Sequence, residues 1–358
     1  MKSVLQIARY LALKAVMLGV TVVVGCYLVV IIANMGGALD DVRRAEVRSN
    51  VGSSIFLDPA NRGVPATVLT QMVDDLARLE FERLGLDKPF FPGRSLEYLF
   101  TALSLRLGMA EQLTSDTGSR EVRRILAERL PSTLLLFGTS TLLLFFSAVR
   151  MALSLSRRYG SLMDRAIVGL APLSAAPGWF YGIFLILIFA AVLRILPWGG
   201  LVKAPPPKEP LAYALSVLQH MILPLLAIMT GGIFANVYRW RTFFLIYSSE
   251  DYVELAKAKG LSSRTIQSRY ILRPTMPTIV TSLALLLIGA WQGQIILETV
   301  FNWPGLGRQF LAAVNLNDTP LILGTTVIYG YLLAGTLFLL EFIYAVIDPR
   351  VRVGGGRR

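Results

Sequence analysis

The residues of this chain best suited to chemistry form one run, Ser248-Ser249-Glu250-Asp251-Tyr252-Val253-Glu254-Leu255-Ala256-Lys257-Ala258-Lys259-Gly260. The chemistry it offers is recognition by charge. Ser248 and Ser249 are helix-capping residue types, and Glu250 and Asp251 place acids in a first turn, where the positive end of the helix dipole favours them. A short helix is predicted through Tyr252 to Lys259, stopping at Gly260, the residue type that closes helices in a left-handed conformation. Ser262 or Ser263 starts a second helix through Thr265, Ile266 and Tyr270, predicted to stop near Pro274. Glu254 and Lys257 or Lys259 offer charge contacts to a partner. Val253 and Ala256 offer a thin apolar face, and Gly260 gives a sharp turn that lets the backbone approach closely. On spacing alone, Ala256, Gly260 and Ile266 also fit a helix-turn-helix DNA reader.

Other polar residues stand inside apolar stretches, where their cost implies a watery or inward-facing site or helix-to-helix hydrogen bonding. Gln292, Gln294 and Glu298 are candidates to line a path through the membrane, Gln294 and Glu298 sharing a helix face four residues apart. Trp303-Pro304-Gly305 reads as a turn or re-entrant gate, and Asn236 and Glu341 are weaker path candidates. His220 lacks a companion His, Cys or acid cluster, so a metal role is not expected. The single cysteine, Cys26, excludes an internal disulfide framework and a cysteine-rich metal site. The apolar run past it, Tyr27 to Ala33, favours an uncleaved first span over a lipoprotein signal.

The elements that must position these residues are membrane helices. With 54% apolar and 16% charged residues over 358, the chain carries more apolar side chain than one soluble core can hide. Crossing the bilayer takes roughly 20 mostly apolar helical residues. Six segments qualify: Arg9 to Ala33, Ser132 to Leu155, Ile167 to Leu196, Leu218 to Tyr238, Pro277 to Leu297 and Leu321 to Ile347. Pro172, Pro177 and Gly178 predict a kink or break in the third. Net charge is +12, yet residues 34–131 hold 13 Lys/Arg and 14 Asp/Glu, so the rest of the chain carries +13. That excess gathers at one end of alternate spans, the positive-inside pattern. Both termini are therefore expected in the cytoplasm, and the basic loops face membrane lipid rather than nucleic acid. The fold class is an all-α integral membrane protein. Its expected regions are an N-terminal end and first span (1–33), an extracytoplasmic helical segment (34–131), a five-helix core (132–347) with the basic loop at 248–274, and a basic tail (348–358). Within 34–131, Val68 to Leu84 has amphipathic helical spacing, Pro89, Pro92 and Gly93 break it, and a second apolar patch covers Leu96 to Leu107.

Tethering of the 248–274 loop between two spans leaves no third helix to complete a soluble DNA-reading domain. Glu254-Leu255-Ala256, three residues and Gly260, followed by Leu272-Arg273-Pro274, resembles the cytoplasmic signature of permease subunits of binding-protein-dependent ABC importers. Glu128-Arg129-Leu130-Pro131-Ser132-Thr133, the run Glu298 to Gly307, and Asp348-Pro349-Arg350-Val351-Arg352 look like the dipeptide and oligopeptide branch. Leu255 replaces the middle Ala of the signature, and Pro274 and Pro277 stand in an Arg-Pro-Thr-Met-Pro sequence unlike the usual one. The resemblance implies that the short helix is a coupling helix seated in an ATP-hydrolysing subunit, with Asp251, Glu254, Ala256, Lys257, Lys259, Gly260 and Leu261 as its residues. It implies a second homologous permease subunit, two cytoplasmic ATPase subunits holding ATP and Mg, and an extracytoplasmic substrate-binding protein. No Gly-x-x-x-x-Gly-Lys-Ser/Thr phosphate loop occurs here, so no cofactor is expected in this chain and no ATPase activity of its own. The branch carries dipeptides, oligopeptides, nickel chelates, glutathione and some oligosaccharides, and no residue here chooses among them.

Overall fold

The computed structural model describes residues 2–34, 37–290 and 295–347. Within them the chain is helical, with one isolated bridge, Met109 to Glu121. The elements are α1 (Lys2–Asn34), α2 (Ala38–Phe56), α3 (Ala66–Arg83), α4 (Ser95–Leu103), α5 (Val122–Ser156), α6 (Leu162–Leu170), α7 (Gly178–Leu185), α8 (Pro210–Ser248), α9 (Asp251–Ala258), α10 (Ser263–Thr265), α11 (Arg273–Ala290), α12 (Ile295–Val300), α13 (Leu306–Asn315) and α14 (Thr319–Ile347). Among the described residues five helices are long and apolar enough to cross a membrane, and a bent pair brings the number to six where it is counted as one broken span. Such spans can leave apolar side chains outward because hydrocarbon replaces water as their solvent. Accordingly Leu13, Val16, Met17, Val20 and Val24 of α1 are all more than half exposed in the isolated chain.

The predicted break in the third span is present. Residues 162–175 and 178–192 meet at 96°, where Pro177, which donates no backbone hydrogen bond, starts α7. Close backbone packing accompanies the bend: a Cβ on Gly231 of α8 would lie 2.9 Å from the Gly178 nitrogen. Several boundaries differ from the sequence reading, and α8 outruns the predicted fourth span, Leu218 to Tyr238, at both ends. The second span begins ten residues early, α5 continuing through Pro131. The second loop helix does not stop near Pro274: α10 continues through a wide π-type stretch, Ile266–Leu272, into α11, with Pro277 inside it. Wider turns of this kind absorb the backbone hydrogen bonds that prolines leave unmade.

The chain divides into two compact units. The first contains residues 1–14, 129–309 and 335–358, and its core joins α5, α6, α8, α9 and α11 through Phe145, Ala152, Ile167, Trp240, Phe244 and Ile279. The second contains residues 15–128 and 310–334. There α2, absent from the sequence reading, pairs with α3 around Ile55, Leu69 and Val73. The Tyr27 hydroxyl meets that of Ser95 at 3.2 Å, and the Tyr331 hydroxyl donates to the Leu103 carbonyl at 2.7 Å.

Candidate functional site

The α9 loop takes the helix, glycine turn, helix form, with its caps distributed differently from the prediction. Ser248 and Ser249 donate to the Phe244 and Ile246 carbonyls at 2.6 and 2.9 Å, so they finish α8. Glu250 is the residue that starts α9, through its backbone carbonyl, which accepts from Val253 N at 2.8 Å. Asp251 and Glu254 occupy the first turn and Lys257 the last, each matched to the helix dipole. Gly260, at φ +73°, closes the helix: its N–H reaches the Lys257 carbonyl at 2.9 Å and Leu261 N reaches the Ala256 carbonyl at 3.3 Å. This pair of bonds is a Schellman closure, which requires a left-handed residue at that position.

The apolar face of α9 is turned opposite to the sequence reading, while Glu254, Lys257 and Lys259 are exposed as that reading has them. Val253 and Ala256, expected to be offered to a partner, are 0% and 2% exposed and packed into the first unit's own core. Ala256 is therefore a residue that seats the helix. Leu261 packs at the edge of the same core. Outward point Asp251, Tyr252, Glu254, Leu255, Lys257 and Lys259, with Leu255 57% exposed. Lys257 Nζ leans back to the Ser248 carbonyl at 3.4 Å. Leu255 is thus an exposed apolar knob ringed by both signs of charge, on a helix anchored from behind.

Glu298 and Trp303 lie elsewhere in the first unit, both 0% exposed. Glu298 Oε1 accepts from the Thr133 hydroxyl at 2.9 Å and Oε2 from Arg308 N at 2.9 Å. Thr133 Oγ1 in turn accepts from Leu306 N at 2.7 Å, and Trp303 Nε1 donates to the Ser132 carbonyl at 2.9 Å. Its carboxyl group thus caps the first turn of α13 and fixes it to α5, which gives a buried polar group its hydrogen-bond partners. Gly305 fits because it lacks a side chain: a Cβ there would stand 2.3 Å from Glu298 Oε1. Path lining, the role expected of Glu298, is not what this burial supports. It is a clamp, and Trp303-Pro304-Gly305 is the turn it clamps. Gln292 and Gln294 lie outside the described residues.

Three further polar ties were not read from sequence. Arg241 of α8 and Asp164 of α6 form a buried two-pronged ion pair, with Nη2 to Oδ2 at 2.6 Å and a second bond from Nε to Oδ1. Gly160 N also donates to Asp164 at 2.9 Å, and Tyr159 lies under the guanidinium at 5.1 Å. An arginine in an apolar helix was the available signal. Glu341 accepts from Lys14 Nζ at 2.6 Å and from the Tyr10 hydroxyl at 2.5 Å, tying α14 to α1. In the second unit, buried Asp318 precedes α14 and accepts from Gln112 N and Leu113 N at 2.9 and 3.1 Å. An Asp two residues before Pro320 is a helix-start signature. Asn236 donates to the Gly232 carbonyl at 2.8 Å, and His220 Nδ1 lies 2.7 Å from the Ser216 carbonyl. Among the described residues no group of His, Cys, Asp and Glu is arranged to hold a metal.

Residues 146–353, which contain α9, the clamped turn and the Asp164–Arg241 pair, match the family described as the inner membrane component of binding-protein-dependent transport systems. The chain belongs to this family. A putative peptide permease protein of Brucella suis is 30% identical over 290 residues, covering 81% of this chain and 87% of that protein. The oligopeptide transport system permease protein AppB of Bacillus subtilis is 26% identical, covering 84% and 94%. The dipeptide transport system permease protein DppB of Escherichia coli is 25% identical, covering 84% and 90%. This permease is thus an inner-membrane transport subunit that works with ATPase and binding-protein components.

Proposed function

We propose that this permease carries di- or oligopeptides, delivered by an extracytoplasmic binding protein, and that its transport is driven through α9. The observation that carries the reading is the division of α9 into a buried face, Val253 and Ala256, and an exposed face, Asp251, Tyr252, Glu254 and Leu255. Two ATP-hydrolysing subunits would receive that face and the corresponding face of a second homologous permease subunit, with ATP and Mg held in the ATPase subunits. Asp251, Glu254, Lys257 and Lys259 supply charge contacts, and Gly260 with Leu261 fixes the helix on its base. Closure of the ATPase pair on nucleotide would push α9. Because α9 is packed against α8 and the stretch entering α11, the push moves membrane helices rather than a loose loop. Peptide as substrate is supported by the relatives, which are named as peptide, oligopeptide and dipeptide permease proteins. Both termini and α9 are assigned to the cytoplasm and residues 34–131 to the opposite side, from the distribution of basic residues.

The test is reconstitution of the permease with its ATPase subunits, the second permease subunit and the binding protein in liposomes. Labelled di- and oligopeptide uptake and ATP hydrolysis are followed together. ATP-dependent peptide uptake, with Leu255→Asp abolishing both uptake and ATPase retention on the membrane, is the expected result. Uptake without ATP, or full coupling in Leu255→Asp, contradicts it.

A further inference from the structure

A cavity of about 160 Å³ lies within the second unit, lined by none of the residues of α9, the Glu298 clamp or the Asp164–Arg241 pair. The apolar part of its lining comes from the ends of two membrane helices, Val29 and Val30 of α1 and Leu323 and Val327 of α14, together with Ala102 and Leu107. Leu28 and Ile32, on the neighbouring face of α1, are 53% and 66% exposed. The cavity therefore adjoins a helix surface that faces hydrocarbon. Four charged side chains line the same cavity, Arg43, Glu46, Glu97 and Arg106. Arg43 and Glu46 neutralise each other at 2.7 Å. Glu97 and Arg106 are exposed and have no ion-pair partner among the described residues.

The apolar part of this lining suits a hydrocarbon guest, and Glu97 and Arg106, exposed at the same cavity, offer a charge of each sign to the polar end of such a guest. We propose that this cavity is a binding site for a zwitterionic phospholipid of the phosphatidylethanolamine type. Part of an acyl chain fills the apolar walls, the phosphate meets the Arg106 guanidinium, and the ammonium meets the Glu97 carboxylate. Glu97 disfavours a purely anionic headgroup by like charge. A free zwitterion such as a short peptide would satisfy the charges but leave walls built from membrane helices without a lipid-like guest.

The intact transport complex, purified in a mild detergent, tests this through its thermal unfolding midpoint and through native mass spectrometry of retained lipid. The probes are dioleoylphosphatidylethanolamine, dioleoylphosphatidylglycerol, glycerophosphoethanolamine and a short peptide. The ethanolamine lipid is expected to raise the midpoint and to be retained, while the glycerol lipid, the tail-less headgroup and the peptide are not. Arg106→Ala and Glu97→Gln should each weaken the lipid response about tenfold, the loss of one charge-assisted contact. Ala102→Phe should abolish the response by filling the cavity. If Ala102→Phe does not assemble, the two charge variants decide, since both side chains are exposed. An equal response to both lipids, an undiminished response in both charge variants, or a peptide response lost in those variants overturns the proposal.

Discussion

Leu255 and Val253 are two residues apart on α9 and should fail in different ways when made acidic. Val253 is fully buried, so Val253→Asp places a carboxylate without a partner among apolar groups, a cost of several kcal/mol. The permease itself should then accumulate poorly in the membrane, measurable by quantitative immunoblot. Leu255→Asp alters only an exposed side chain. Accumulation should be normal while co-purification of the ATPase subunits is lost. Glu298 supports a second prediction at this scale. Glu298→Gln turns one acceptor into a donor against the Thr133 hydroxyl or the Arg308 amide that now meets the carboxylate, at about 1–3 kcal/mol. Gly305→Ala drives a Cβ into the same carboxylate. Its penalty should shrink markedly in a Glu298→Ala background, because the two residues compete for one space. Thermal unfolding of the four purified proteins gives the coupling directly.

The elements add constraints that no single side chain carries. Gly260 has open space around it, so a Cβ meets nothing, and only its φ of +73° limits substitution. Gly260→Asn should therefore support nearly normal transport, whereas Gly260→Val should carry about 1–2 kcal/mol of left-handed strain and tilt α9. The measurement is uptake per ATP hydrolysed. The Asp164–Arg241 pair binds α6 to α8, and Arg241→Ala strands a buried carboxylate at about 3–5 kcal/mol, while replacing both by Leu and Met should recover most of that loss. Much of this architecture was legible in advance. Long apolar runs announced the spans, Pro177 the broken third, and the acid-to-glycine spacing announced α9 and its left-handed cap. The faces of α9 were not legible, because Val253 and Ala256 are apolar whether they meet a partner or their own core. Nor was the helical path through Pro274 legible, since a proline marks a stop unless the preceding turn widens. The clamp at Glu298 was hidden for a related reason: a membrane carboxylate implies polar company, and its company comes from backbone amides some ten residues on and from Thr133, far away in the sequence.

At the scale of the whole molecule the charge distribution makes a claim about sidedness. Residues 34–131 are nearly neutral at −1, and the remaining chain carries +13. The positive-inside rule concerns loops close to span ends, and that is where Arg157, Arg158, Arg165, Lys257, Lys259, Arg264, Arg269 and Arg273 stand. Cys26, the sole cysteine, is buried, so Cys26→Ala gives a background without thiols and puts no new polar group in the interior. Single cysteines at the exposed positions Ser54 and Lys259 then report the two faces. With cells whose outer barrier has been removed, a membrane-impermeant maleimide should label the Ser54→Cys protein at once and the Lys259→Cys protein only after the membrane is opened. ATPase subunits bound to the complex should slow labelling at Lys259 and leave Ser54 unaffected, because the first position borders the Leu255 knob and the second lies on α2. Early labelling at Lys259 would place α9 on the side where no ATP-hydrolysing partner can reach it, and the drive mechanism would fall with the topology.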